Sequence, residues 1–203
     1  MTVVYFCIDT TDLKGNVQIV SIGAITDDNV HFHRYINPTC DICPEATKIH
    51  GVKKIGGILH RNGWSKPKAV HPKIGLQLFV NWLSNQNVTY LVAHNNFGFH
   101  STVLRNNLAF FGVVKPNFQI VDSYPIMQNV HIRFVGTLWP NPNSRSLDRC
   151  LKILCPQKRR AKRQSALSKA GDVKDICEKL ANIQGFVSFF QWLLSHPWHI
   201  RQN

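Results

Sequence analysis

Hydrophobic positions fall along the chain first in strand-like runs and then in helical stripes. Val3 to Ile8 is an unbroken β-rich run, and Val17 to Thr26 and Val30 to Ile36 are two further strand-like segments, with Asp27-Asp28-Asn29 as a turn between them. Three antiparallel strands therefore open the chain. Gly51 to Pro72 carries Gly, Pro and Lys without periodicity, which predicts a loop region crossing the surface with Trp64 as a packing plug. Leu76, Phe79, Val80 and Leu83 then recur at the spacing of one helix face. A strand at Val88 to Ala93 follows, then a helix presenting Leu104, Leu108 and Phe111 that stops at Gly112, then a strand at Phe118 to Val121. Helical spacing returns in Leu147, Cys150, Leu151 and Leu154, in Val173, Ile176, Cys177 and Leu180, and in Phe186, Phe189, Phe190 and Leu193. The last of these lies in an apolar C-terminal segment, 183–203, read as a helix that covers the sheet or forms a dimer contact. Early strands followed by alternating helix and strand predict an α/β fold, a mixed five-stranded sheet flanked by helices.

Composition narrows the function more than the fold. A chain of 203 residues with 44% hydrophobic content suffices for one buried core, so a single domain over 1–203 is expected. Its 24 Lys and Arg against 11 Asp and Glu give a formal net charge of +13, a field that attracts polyanions. Nucleic acid is the natural partner; a charge that serves solubility alone is the alternative, since acids are scarce rather than bases dense. No apolar run reaches the roughly 18 residues of a membrane span, and Met1 to Asp9 has no basic lead. The expectation is an intracellular chain, nuclear or cytoplasmic, with no membrane partner. Six unevenly spaced cysteines fit no disulfide framework and stay reduced in such a compartment. The sequon Asn87-Val88-Thr89 then goes unread.

Phosphodiester hydrolysis by two metal ions needs hard oxygen ligands converging on sites about 4 Å apart. An Asp-x-Glu pair on a strand supplies two such ligands on one face. Cys7-Ile8-Asp9-Thr10-Thr11-Asp12-Leu13, followed by Gln18 to Ile25, resembles the first signature of the four-carboxylate (DEDDh, DnaQ-like) 3′-to-5′ exonuclease superfamily, whose fold is ribonuclease-H-like. Asp9 stands at the first carboxylate, Thr11 replaces the Glu, and Asp12 points from the other strand face. Tyr35 to Pro38 and Pro44 to Val52 resemble the family's third strand, short helix and loop, which gives Cys40, Cys43, His50 and His60 a structural rather than a zinc-binding reading. Leu91 to Leu104 resembles the second signature, with the spacing of the Trex-like and promyelocytic-leukaemia-exon-9-like branches; His94 and Asn95 are kept, and His100 replaces an Asp. Imidazole is a poor ligand for Mg²⁺ though acceptable for Mn²⁺ or Zn²⁺, and a histidine at a helix start, packed or solvated, is the plainer reading. Asp122 corresponds to an acid that orders the next loop, and Ser146 to Leu151 to the helix before the third signature. That signature reads Leu167-Ser168-Lys169-Ala170-Gly171-Asp172 here, so Asp172 remains while the general base is Leu167. The resemblance covers residues 3–182. It implies Asp9 and Asp172 as remnants of the catalytic centre, with Asp9, Asp172 and His100 as the residues left to hold a metal, Mg²⁺ or Mn²⁺ if the chain is active and none otherwise.

Binding can outlast cleavage. Lys158, Arg159, Arg160, Lys162 and Arg163 precede the third signature, where they can contact phosphates; a solvated loop or a nuclear-localisation signal are the alternatives. Lys53, Lys54, Lys66, Lys68 and Lys73 form a second basic stretch, and Phe97, Phe99 and Trp64 are candidate stacking residues that fit a core equally well. With Thr10, Leu13, His94 and Asn95 beside the resemblance's catalytic positions, the preferred ligand is the end of single-stranded DNA or RNA. The leading expectation is a catalytically impaired, nucleic-acid-binding module; an active exonuclease of altered ligation and a protein-interaction scaffold are the other readings, and a homodimer is compatible with the apolar tail.

Overall fold

The computed structural model describes residues 2–15, 17–63, 65–125, 146–158, 165–185, 188–196 and 200–202. Among them, β1 (Thr2–Thr10), β2 (Ile19–Thr26) and β3 (His31–Ile36) form the antiparallel opening that the sequence predicts. β7 (Val88–Ala93) pairs parallel with β1, and β8 (Gln119–Asp122) parallel with β7. These five strands, in the order β3-β2-β1-β7-β8, are the predicted mixed sheet. Two short edge strands complete a seven-stranded sheet: β6 (Ala69–Val70) beside β3 and β9 (Ile200–Gln202) beside β8. At two and three residues these segments are too short to show a period, and they are added by backbone pairing at the sheet's margins.

The stretch read as a surface loop also holds structure. β4 (Val52–Ile55) and β5 (Ile58–Arg61) form a separate hairpin, turned by Gly56 and Gly57 at φ of 54° and 80°. Ile55 and Ile58 at its tip are about half exposed, so the hairpin lacks the buried alternation that marks a strand in sequence. Near the end of the chain, the expected long helix over 183–203 is instead α6 (Phe189–Ser195) followed by β9.

β1 divides the molecule into two apolar cores. Val4, Phe6 and Ile8 face α2 (Pro72–Asn85) and α3 (Ser101–Phe110), meeting the predicted stripe of Leu76, Phe79, Val80 and Leu83. α3 ends where expected, with Gly112 left-handed at φ 64°. Val3, Tyr5 and Cys7 face the other way, towards α4 (Leu147–Leu154), α5 (Ala166–Ile183) and α6. Because side chains alternate along a strand, Asp9 continues the Tyr5 and Cys7 side and points at α5. The α5 helix comes unusually near the sheet: a Cβ on Gly23 would lie 1.9 Å from the Leu167 amide nitrogen and 2.2 Å from the Ala166 carbonyl carbon. Only a glycine in β2 admits that approach, which carries the third signature up against the first.

Candidate active site

The two surviving acids are both buried, and each is met by a lysine. The Asp9 side chain is 4% exposed; its Oδ1 lies 2.6 Å from Lys169 Nζ, and its Oδ2 accepts a 2.7 Å hydrogen bond from Ser21 Oγ on the neighbouring strand. Lys169 sits on the first turns of α5, started by Ser165, whose hydroxyl accepts from the Ser168 amide at 3.2 Å. One turn further, Asp172 is fully buried, and its Oδ1 lies 2.9 Å from Lys158 Nζ. Lys158 also donates to Asp175. Burial opposes the Lys158 ammonium, but its bonds to Asp175 and Asp172 outweigh that and hold its pKa above the ordinary lysine value. Burial pushes the Cys7 thiol up to about 12; Lys169 opposes this, and the Asp9 and Asp172 carboxylates add to it.

Each replaced position has found other work. Thr11 is buried; its Oγ1 accepts from the Gln18 amide at 3.0 Å, and its backbone closes the β1–β2 connection with Gln18 and Cys43. The β1–β2 register shifts between Asp9 and Thr10, so the strand's regular alternation ends at Asp9. His100 closes a wide helical turn, Asn96–His100, its ring edge-on to Phe6 and Phe99 and its Nε2 3.4 Å from Cys7 Sγ. Burial pulls the His100 imidazole down to about 4, so at neutral pH it is uncharged and faces an un-ionised thiol. The pair is not an activated nucleophile. Leu167 lies over Gly23 at the helix–sheet contact.

Asp9, Thr10, Leu13, His100 and Lys169 line one cavity of about 290 Å³, together with His50, Phe99 and Asp148. His50 is fixed there by the Val52 amide, which donates to Nδ1 at 3.1 Å, and by the Thr10 carbonyl 3.1 Å from Nε2; burial lowers its pKa. The ring thus accepts from one backbone group and donates to another, and Cys43 caps α1 (Pro44–His50) by accepting from the Ala46 amide. His94 and Asn95 stand apart from this cavity's lining: His94 is buried with Nδ1 3.0 Å from Ser123 Oγ, and Asn95 is exposed in the left-handed conformation at φ 59°. Asp122 orders its loop as expected, accepting from the Phe97 and Tyr124 amides at 2.9 Å each. Lys53, Lys66, Lys68 and Lys73 are exposed, while Lys54 donates to the Pro38 carbonyl at 2.6 Å. Arg159, Arg160, Lys162, Arg163, Trp64 and Phe186 lie outside the described residues.

A pair of hard divalent ions does not fit these side chains. Both oxygens of Asp9 are engaged, Asp172 is closed in against Lys158, Thr11 is committed to backbone, and Leu167 offers no donor. Among the described residues, no three His, Cys, Asp or Glu side chains gather closely enough to hold a metal ion. Sequence reasoning did not single out Lys169 or Ser21. The signal for Lys169 was a cation three residues before Asp172, inside a signature that otherwise gathers acids and a base.

No family model matches the sequence, and no curated protein does. Solved structures do. Escherichia coli exonuclease I in complex with a dA13 oligonucleotide superposes with a TM-score of 0.71 at 16% identity, over 96% of this chain and 43% of that one. A zinc-bound form of the same enzyme with single-stranded DNA gives 0.68 at 17% identity, over 96% and 43%. The Neurospora crassa Pan2 catalytic unit, which combines protease and nuclease domains, gives 0.60 at 16% identity, over 96% and 29%. This chain spans less than half the length of those structures, and the likeness is one of fold: a mixed sheet flanked by helices, of the ribonuclease-H-like kind.

Proposed function

On this exonuclease fold, we propose a nucleic-acid-binding module that has given up hydrolysis, its ligand the end of single-stranded DNA or RNA. The observation that carries the reading is the Asp9–Lys169 contact at 2.6 Å: an internal ammonium stands against the carboxylate that would bind metal in a working enzyme of this fold. Loss of the Glu, Asp and His positions to Thr11, His100 and Leu167 agrees with it, since losing single groups of this kind costs a factor of about 100 or more. The net charge of +13 supports retention of a polyanion partner, and the comparison structures that hold DNA oligonucleotides support the single-stranded class.

The test is a 5′-labelled single-stranded DNA or RNA incubated with the purified chain and Mg²⁺ or Mn²⁺, with binding followed across a salt series. Salt-sensitive binding without a degradation ladder is expected. A ladder abolished by Asp9→Ala would establish an active enzyme instead, and neither binding nor ladder would leave a protein-interaction scaffold. The substitutions Thr11→Glu, His100→Asp and Leu167→His should together restore turnover only when Lys169 is also replaced by a small neutral residue; turnover by the triple variant alone would count against the blocking role of Lys169.

A further inference from the structure

We propose that Lys169 takes over the metal's second task, neutralising the site's buried acid so that a phosphate group can enter, and that nucleic-acid binding by this chain is therefore independent of divalent cations. The inference rests on the nucleic-acid reading above and goes further by naming the group that receives the phosphate.

A phosphate entering the 290 Å³ cavity approaches the buried Asp9 carboxylate, and two like charges in a poorly hydrated space repel strongly. Enzymes of the two-metal kind cancel that repulsion with the bound ions. Here the donor set cannot gather such ions, yet the acid is retained, buried and in contact with an ammonium at 2.6 Å. Lys169 is 16% exposed and lines the same cavity as Asp9, so its charge reaches both the acid and the space a ligand would fill. Thr10, Leu13 and Phe99 give that space a mixed polar and apolar lining suited to a sugar-phosphate end. The second acid is answered in the same way, Asp172 by Lys158, so neither carboxylate relies on an external cation.

The experiment measures the Kd of fluorescein-labelled dT12 and rU12 by anisotropy in EDTA and again in Mg²⁺ or Mn²⁺. Equal affinity in both is expected. Lys169→Met should weaken binding about tenfold, the loss of one charge-assisted phosphate contact, and Lys169→Arg should keep it within about threefold. Asp9→Asn should tighten binding, because it removes the buried one of the two acids that line the cavity, Asp9 and Asp148, and leaves the ammonium; a lysine that only stabilised the fold would not produce that gain. If Lys169→Met fails to fold, the pair Asp9→Asn with Lys169→Met carries the same test, as it buries no lone charge. Binding that requires metal, that is indifferent to Lys169→Met in the folded protein, or that weakens in Asp9→Asn overturns this inference and leaves the nucleic-acid reading standing. Absence of binding by the unsubstituted chain in every condition overturns both.

Discussion

Replacing Lys169 by Met should destabilise the fold even though the two side chains have similar length. The substitution strips the charge partner that Asp9 Oδ1 has among the described residues and leaves a carboxylate that is 4% exposed. Breaking a buried pair from one side costs about 3–5 kcal/mol, because the remaining charge is stranded away from water. Asp9 keeps its hydrogen bond from Ser21, and Lys169 is partly open to solvent at 16%, which places the loss near the lower end, about 3 kcal/mol. For a chain of 203 residues that corresponds to a fall in Tm of about 6–12 °C. Asp9→Asn alone leaves an ammonium that can swing towards water and should cost about 1–2 kcal/mol. The double variant removes both charges and should fall short of the sum, giving a coupling of about 2 kcal/mol in a double-mutant cycle. Urea unfolding of the four proteins at pH 7 reads it directly. A Lys169→Met variant within about 0.5 kcal/mol of the parent, or a strictly additive cycle, would refute the buried-pair account.

Two further outcomes follow from the same region. His100 is held near 4 in the folded chain against about 6.5 when unfolded, so the unfolded state takes up a proton first as pH falls; stability is full above about 6.5 and declines towards pH 4, by up to roughly 3 kcal/mol. Urea midpoints at pH 7.5 and 4.5 should therefore converge in His100→Leu, and parallel shifts in variant and parent would contradict the burial of the ring. Gly23→Ala should cost at least about 2 kcal/mol, because its methyl meets the α5 backbone at 1.9 Å and no side chain can yield; a neutral result in thermal unfolding would mean that α5 does not rest on β2.

The architecture was legible where burial imposes a period. Val3 to Ile8 could be read as a strand because both of its faces are covered, which makes the apolar run continuous, and Leu76, Phe79, Val80 and Leu83 as a helix face because one side alone is buried. The β4–β5 hairpin escaped notice because Ile55 and Ile58 stay in solvent, and β9 because edge pairing is made by main-chain groups that any residue carries. Of the site, the substituted positions were visible as departures from a signature. The partnership of Lys169 with Asp9 was not: the residues lie 160 positions apart, and nothing in either neighbourhood fixes a distance that depends on Gly23 letting the helix down onto the sheet. Thr11 shows a related limit, since its hydroxyl serves a connection whose bulge no alternation rule anticipates.

The central strand carries a consequence for how the molecule breathes. β1 is bonded to β2 from Val4 to Thr10 and to β7 from Thr2 to Tyr5, with Val3, Val4, Tyr5 and Phe6 entirely shielded from solvent. Amide deuterium uptake in that strand has no local route and must await whole-molecule opening. Asp9 is mounted four residues beyond that doubly paired stretch, so its carboxylate is anchored to the slowest-exchanging part of the sheet through a continuous strand.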